Sequence, residues 1–182
     1  MTATVREAVS DNDYVAFGEL IAEYETWLQE RYAEQTDLVA TIRAHQDLDA
    51  ELAALPAKYA PPRGTVLLAE IDGRTVGGVA LRDLHDGTCE MKRLYVRREA
   101  QGSGAGRLLC ERLLAFAGAV GYRAMRLDTG LRNDEALALY RDLGFVEIAA
   151  YAEYPPDVAS HLLFLERALP YARSAAPRDG GP

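Results

Sequence analysis

Cysteine is scarce: Cys89 and Cys110 are the only two in 182 residues, too few for a disulfide framework. Both fall in segments read below as regular, buried structure, so a reducing, cytoplasmic compartment is expected. Histidine is scarce too. His45, His85 and His161 are scattered without ligand spacing, and no metal site is expected. No uninterrupted apolar stretch approaches the roughly 20 residues that cross a bilayer, and the opening MTATVREAVSDNDYV lacks the charged-then-apolar order of a signal segment. A membrane is therefore not an expected partner. Lys and Arg form no dense run, and 28 acidic residues against 20 basic ones give a net charge of -8, which argues against nucleic acid. The same balance suits a cationic or amine substrate, although ordinary solubility also produces it.

What remains is a chain with 49% hydrophobic residues, enough for one substantial core and one domain, read as residues 1–170. The tail at 171–182, ARSAAPRDGGP in its bulk, reads as disordered. A strand is expected from Thr4 to Val9, followed by SDND, where Ser10 or Asp11 can cap a helix. Val15, Phe17, Leu20, Ile21, Tyr24 and Leu28 then recur at helical spacing. A second helix is expected between Asp37 and Leu55, ending at Pro56. TVLLAEI, TVGGVAL and CEMKRLYV read as a three-stranded meander, joined by turns at Asp72-Gly73-Arg74 and His85-Asp86-Gly87. After the run QGSGAG comes a helix with Leu109, Leu113, Phe116, Ala117 and Val120 as its stripe, ending at Gly121. A strand from Ala124 to Thr129, a helix from Asn133 to Leu143 closed by Gly144, and strands at 145–150 and 162–167 complete the domain.

Strand, glycine-rich turn, helix turns backbone N–H groups toward one point at the positive end of a helix dipole. Gly102, Gly104 and Gly106 remove side chains that would hold a diphosphate away. A P-loop would need Lys followed by Ser or Thr where Arg107-Leu108 stand. A dinucleotide fold would need the loop after its first strand, not after three antiparallel ones, and its last glycine falls on Arg107. A tight turn before a helix would serve as well, with no ligand.

The run Gln101-Gly102-Ser103-Gly104-Ala105-Gly106 resembles the signature of GNAT acetyltransferases: Gln or Arg, two residues, Gly, one residue, Gly or Ala. Similarity extends over CEMKRLYVRREAQG before it and RLDTGLRNDEALALYRDLGF after it, roughly Leu67 to Tyr154. Gln101 and Ser103 depart from the basic residues many members carry there. The resemblance implies an α/β (α+β) fold: one mixed, mostly antiparallel sheet with helices on both faces and central splayed strands. It further implies acetyl-CoA as co-substrate, its pyrophosphate on the loop amides from Gln101 to Arg107 and its pantetheine arm along the backbone of Leu94 and Val96. An amine acceptor, expected to be a small molecule, is implied as partner, and a homodimer is allowed.

On the same resemblance Glu90, eleven residues before Gln101, stands where some members carry a general base. An ammonium has no lone pair to attack a thioester, so a base, direct or through water, is needed. Glu90 could instead pair with Lys92 or Arg93, or hold the substrate's charge. Alternation puts Glu90 and Lys92 on one face of their strand and Cys89 and Met91 on the other. Tyr140, in the pattern Asn, six residues, Tyr, three residues, Gly-Phe, corresponds to a tyrosine that protonates the departing thiolate. It also fits an inward stripe with Ala136, Leu139 and Leu143. Asn133 is expected to contact the cofactor, to cap its helix, or both. Glu23, Tyr24, Glu51 and Tyr59, from the first two helices, would wall the acceptor pocket. Cys89 could be an acyl-accepting nucleophile, but a buried structural thiol is far commoner. Two readings compete with the enzyme: a non-catalytic acyl-CoA-binding or sensing module, and a purely structural domain.

Overall fold

The computed structural model describes residues 2–34, 40–42 and 47–170. Its elements are β1 (Thr4–Glu7), α1 (Asp11–Arg31), α2 (Leu48–Ala53), α3 (Leu55–Lys58), β2 (Thr65–Ile71), β3 (Arg74–Asp83), β4 (Thr88–Val96), α4 (Ala105–Val120), β5 (Ala124–Gly130), α5 (Asp134–Asp142), β6 (Val146–Ile148), α6 (Pro156–Ala159) and β7 (Leu162–Ala168). The strands form one sheet in the order β1-β2-β3-β4-β5-β7-β6. Every pairing is antiparallel except β4 with β5.

α1 starts where its sequence demands. Ser10 Oγ accepts from the Asp13 amide at 3.3 Å, and Asp13 Oδ2 accepts from the Ser10 amide at 3.0 Å, a reciprocal capping box. The front half of its apolar stripe, Phe17, Leu20 and Ile21, is buried against Leu68, Ala80 and Tyr59 on one face of the sheet. A Cβ on Gly78 would lie 2.8 Å from the Phe17 ring, so α1 sits this close only because β3 is bare there. On the other face α4 buries Leu109, Leu113 and Ala117 against Val79, Leu81, Met91 and Leu127. Gly121, at φ 95°, ends α4 in the left-handed region.

The second helix differs from expectation. Helix breaks at Ala54 and resumes as α3, with Pro56 in the first turn, where a missing N–H costs nothing. Residues 35–39 and 43–46, with His45, lie outside the described residues, as does the tail expected to be disordered.

Two features of β4 shape the centre of the molecule. Its parallel pairing with β5 covers only Thr88–Glu90 against Ala124–Arg126, so the two strands splay beyond that point. Beyond Lys92, Arg93 and Leu94 stand against the single residue Val79, a β-bulge with Arg93 at φ 59°. The extra residue reverses the alternation: Cys89 and Met91 face α4 before the bulge, Leu94 and Val96 after it, while Tyr95 turns to α1.

Candidate active site

The splay opens a cavity of about 590 Å³ between β4 and β5. One end is built by the glycine loop. Gly102 and Gly104 have φ of 81° and 87°, and a Cβ on either would point into open space, so nothing among the described residues requires that space to stay clear. The loop leads straight into the N-terminus of α4, where amides and dipole favour an anion. Ser103 Oγ accepts from the Ala105 amide at 3.4 Å, and the Gln101 side chain donates to the Val96 carbonyl at 3.1 Å. Leu94, Val96, Gln101, Gly102, Gly104, Ala105, Gly106 and Arg107 all line the cavity; Ser103 does not.

Asn133 stands at the N-cap position of α5 but does not cap it. Its amide group donates to Thr129 Oγ1 at 3.3 Å, and its buried Oδ1 has no partner among the described residues. Asn133 is among the residues of the cavity wall, which also includes the part of β4 beyond Glu90 that has no β5 partner among the described residues. An extended ligand with amide N–H groups and a diphosphate end would fit these features, as acetyl-CoA has. Tyr140 lines the same space from α5, with its ring edge-on to Phe145 at 5.8 Å. Burial pushes its phenol well above the ordinary range, so the hydroxyl keeps its proton.

The opposite wall comes from α1. Past the core its stripe continues as Tyr24 and Leu28, with Tyr32 at the C-cap; all three line the cavity, and Tyr24 also meets the Tyr95 ring of β4 at 5.8 Å. Trp27 stacks on Tyr24 at 5.7 Å, and the Arg31 guanidinium lies 4.8 Å from the Trp27 ring centre. Of the four residues expected here, Tyr24 alone lines the cavity. Glu23 is held by Arg97 at 2.8 Å. Tyr59 is fully buried and donates to Glu51 at 2.7 Å, and Glu51 spends its oxygens on Tyr59, Lys58 and Arg93. The expectation came from the family resemblance, which places the first two helices at the pocket but does not say which face of each helix meets it.

Glu90 and Lys92 do share a face, but only Lys92 reaches the cavity wall. Glu90 is 1% exposed: Arg82 donates to one carboxylate oxygen, Tyr151 to the other at 2.8 Å, and Lys92 lies 3.5 Å away. Lys92 also bonds Asp128 at 2.7 Å across the splay. Burial alone would favour the neutral forms of Lys92 and Asp128, but each holds the other charged: the lysine's pKa is raised and the aspartate's is lowered. Asp128 lines the cavity and was not singled out in the sequence, although its alternation with Arg126 on β5 places it opposite Lys92. His161 is also in the wall.

Both cysteines are free and buried, and burial pushes each thiol up to about 12. A thiolate nucleophile is therefore absent at neutral pH. Cys89→Ala is expected to keep turnover within about threefold of the parent, since only packing and a weak bond from the thiol to the Ala124 carbonyl change. Trapping an acetyl group on Cys89 during turnover would contradict this.

The profile of the acetyltransferase (GNAT) family matches residues 6–145. An uncharacterized N-acetyltransferase of Schizosaccharomyces pombe is 40% identical over 116 residues, 62% of this chain and 71% of that one. An IAA acetyltransferase of Azospirillum brasilense is 38% identical over 111 residues, 60% of this chain and 71% of that one. Among solved structures, an acyl-CoA N-acyltransferase from Klebsiella pneumoniae superposes with a TM-score of 0.67 at 25% identity, over 92% of this chain and 97% of that one. A Salmonella typhimurium acetyltransferase solved with its cofactor acetyl-CoA gives 0.62 at 23% identity, over 98% and 99%, which shows the shared fold. The splayed strands, the glycine loop at a helix N-terminus and the profile over most of the chain agree: this protein belongs to the GNAT acetyltransferase family.

Proposed function

We propose that the protein transfers an acetyl group from acetyl-CoA directly to the amine of a small molecule. The observation that carries this is that one cavity wall takes in the glycine loop, the splayed part of β4, Asn133, Tyr140 and Asp128. Acetyl-CoA bound there supplies an electrophilic thioester carbonyl and a thiolate leaving group. The loop amides take the diphosphate, and the Leu94–Val96 backbone takes the pantetheine arm as an added strand. Tyr140, neutral at working pH, gives its proton to the departing sulfur. No helix among the described residues is long and apolar enough to cross a membrane. With two free thiols, the cytoplasm is the compartment proposed.

The acceptor's proton needs a second group. Glu90 is enclosed by Arg82, Tyr151 and Lys92, so its role is to hold Lys92 and, through it, Asp128. Asp128 is the carboxylate that meets the acceptor, directly or through water. Thiol release from acetyl-CoA, measured against a panel of amines, tests the whole reading, and initial-rate plots should intersect. Tight acetyl-CoA binding with no amine-dependent release would instead support a binding or sensing module.

Base and support separate by pH. Asp128→Asn should lower the rate most where the acceptor is an ammonium, with the deficit shrinking toward pH 10, where an amine of ordinary pKa, about 10, is largely free. Glu90→Gln, a positioning change, should give a deficit that stays level with pH. The opposite pattern on folded variants would make Glu90 the base.

A further inference from the structure

Four described residues other than glycine have positive φ, namely Asp47, Asp72, His85 and Arg93, and of these only Arg93 lies inside a strand. The left-handed region is costly for any residue with a Cβ, and a long side chain has no intrinsic reason to occupy it. Something in the tertiary structure must hold it there.

The guanidinium shows what does. Arg93 Nε and a terminal nitrogen reach the two oxygens of Glu51 at 3.0 and 3.1 Å, a two-pronged ion pair between side chains 5% and 1% exposed. Lys58 at 2.6 Å and Tyr59 at 2.7 Å saturate the same carboxylate, and Glu25 lies 3.9 Å from the guanidinium. Glu51, on α2, is thus held to the end of α3 by Lys58 and Tyr59, and Arg93 is tied to a carboxylate 42 residues away in sequence.

We propose that Glu51 is a positioning residue for the cofactor cleft: by gripping Arg93 it keeps β4 bulged, with the Leu94–Val96 backbone presented to acetyl-CoA. Without the bulge, alternation would carry Leu94 and Val96 to the α1 face and close the register with β3. The inference rests on the acetyl-CoA reading above, yet the backbone at residue 93 can be examined with no ligand at all.

The test compares Glu51→Ala alone and combined with Arg93→Ala or Arg93→Gly. Both double variants remove the arginine together with its carboxylate, so neither carries the unpaired buried guanidinium of the single variant. They differ in one respect, because glycine adopts positive φ freely and alanine does not. Acetyl-CoA affinity by calorimetry should be weaker by about tenfold or more in Glu51→Ala/Arg93→Ala than in the parent, and return to within about threefold in Glu51→Ala/Arg93→Gly. In steady state the KM for acetyl-CoA should move while that for the amine does not. The Cα chemical shift of residue 93, read on ligand-free protein, should report left-handed backbone in the parent and the glycine double variant and extended backbone in the alanine one. Equal affinity of the two doubles, or left-handed backbone retained in both, would overturn the proposal and leave Glu51 a partner of buried charge only. A parent that fails to bind acetyl-CoA would sink the functional reading, and the chemical shifts would still decide this one.

Discussion

Gly104→Val should weaken acetyl-CoA binding by about 10²-fold or more, which calorimetry on folded protein will measure. Two effects combine. At φ 87° a valine strains the backbone by about 1–2 kcal/mol, so the loop shifts to relieve it. Its side chain would also occupy the open space beside the α4 N-terminus, where the proposed function puts the diphosphate. Gly121→Val separates the two, because Gly121 ends the same helix at φ 95°, with equally open space around its Cβ position and no place in the cavity wall. It should cost comparable stability and leave binding unchanged. A Gly104→Val protein that binds as tightly as the parent would reduce the loop to a turn before a helix.

The second large effect is expected at Tyr140. Removing the hydroxyl in Tyr140→Phe should lower kcat by about 10²-fold, the usual contribution of a positioned proton donor, wherever departure of the thiolate limits the rate. Folding should be spared. The ring keeps its packing on Phe145, and the hydroxyl has no hydrogen-bond partner among the described residues that would be stranded by its loss. The pH behaviour follows from burial: the phenol's pKa is raised, so it stays protonated across the neutral range, and the deficit should be level from pH 6 to about pH 9. The KM for acetyl-CoA should change little. Full activity of the variant at neutral pH, with chemistry shown to limit, would return Tyr140 to the core and leave water or the acceptor to supply the proton.

The sequence announced some parts of this architecture and hid others for physical reasons. The glycine loop was legible because cradling an anion needs backbone amides, and only glycine at fixed spacing lets the chain turn tightly enough to offer them. α1 was legible by its stripe, but not where that stripe stops being core: Ile21 and Tyr24 are consecutive steps of one pattern, the first against the sheet and the second against the cavity. The bulge was not legible. Lys92-Arg93-Leu94 reads as unbroken alternation, and neither Gly nor Asn marks the left-handed position, because the cause is a carboxylate on a different element. Asp128 was overlooked for a similar reason: a charge on a strand reads as solvated until the neighbouring strand places Lys92 against it. Asn133 was legible as a cap, a cofactor contact or both; its side chain does not cap α5 but donates to Thr129, and its buried Oδ1 has no partner among the described residues.

The chain has ten tyrosines and a single tryptophan, and that tryptophan, Trp27, is in the cavity wall, stacked on Tyr24 and capped by the Arg31 guanidinium. Its indole emission, excited at the red edge where tyrosine does not absorb, therefore originates in the wall of the cavity. Indole fluorescence responds to the polarity and charge within a few ångströms, so filling or draining the cavity changes the colour and brightness of the unlabelled protein. The molecule carries its own optical gauge of occupancy, with no second indole elsewhere to dilute the signal.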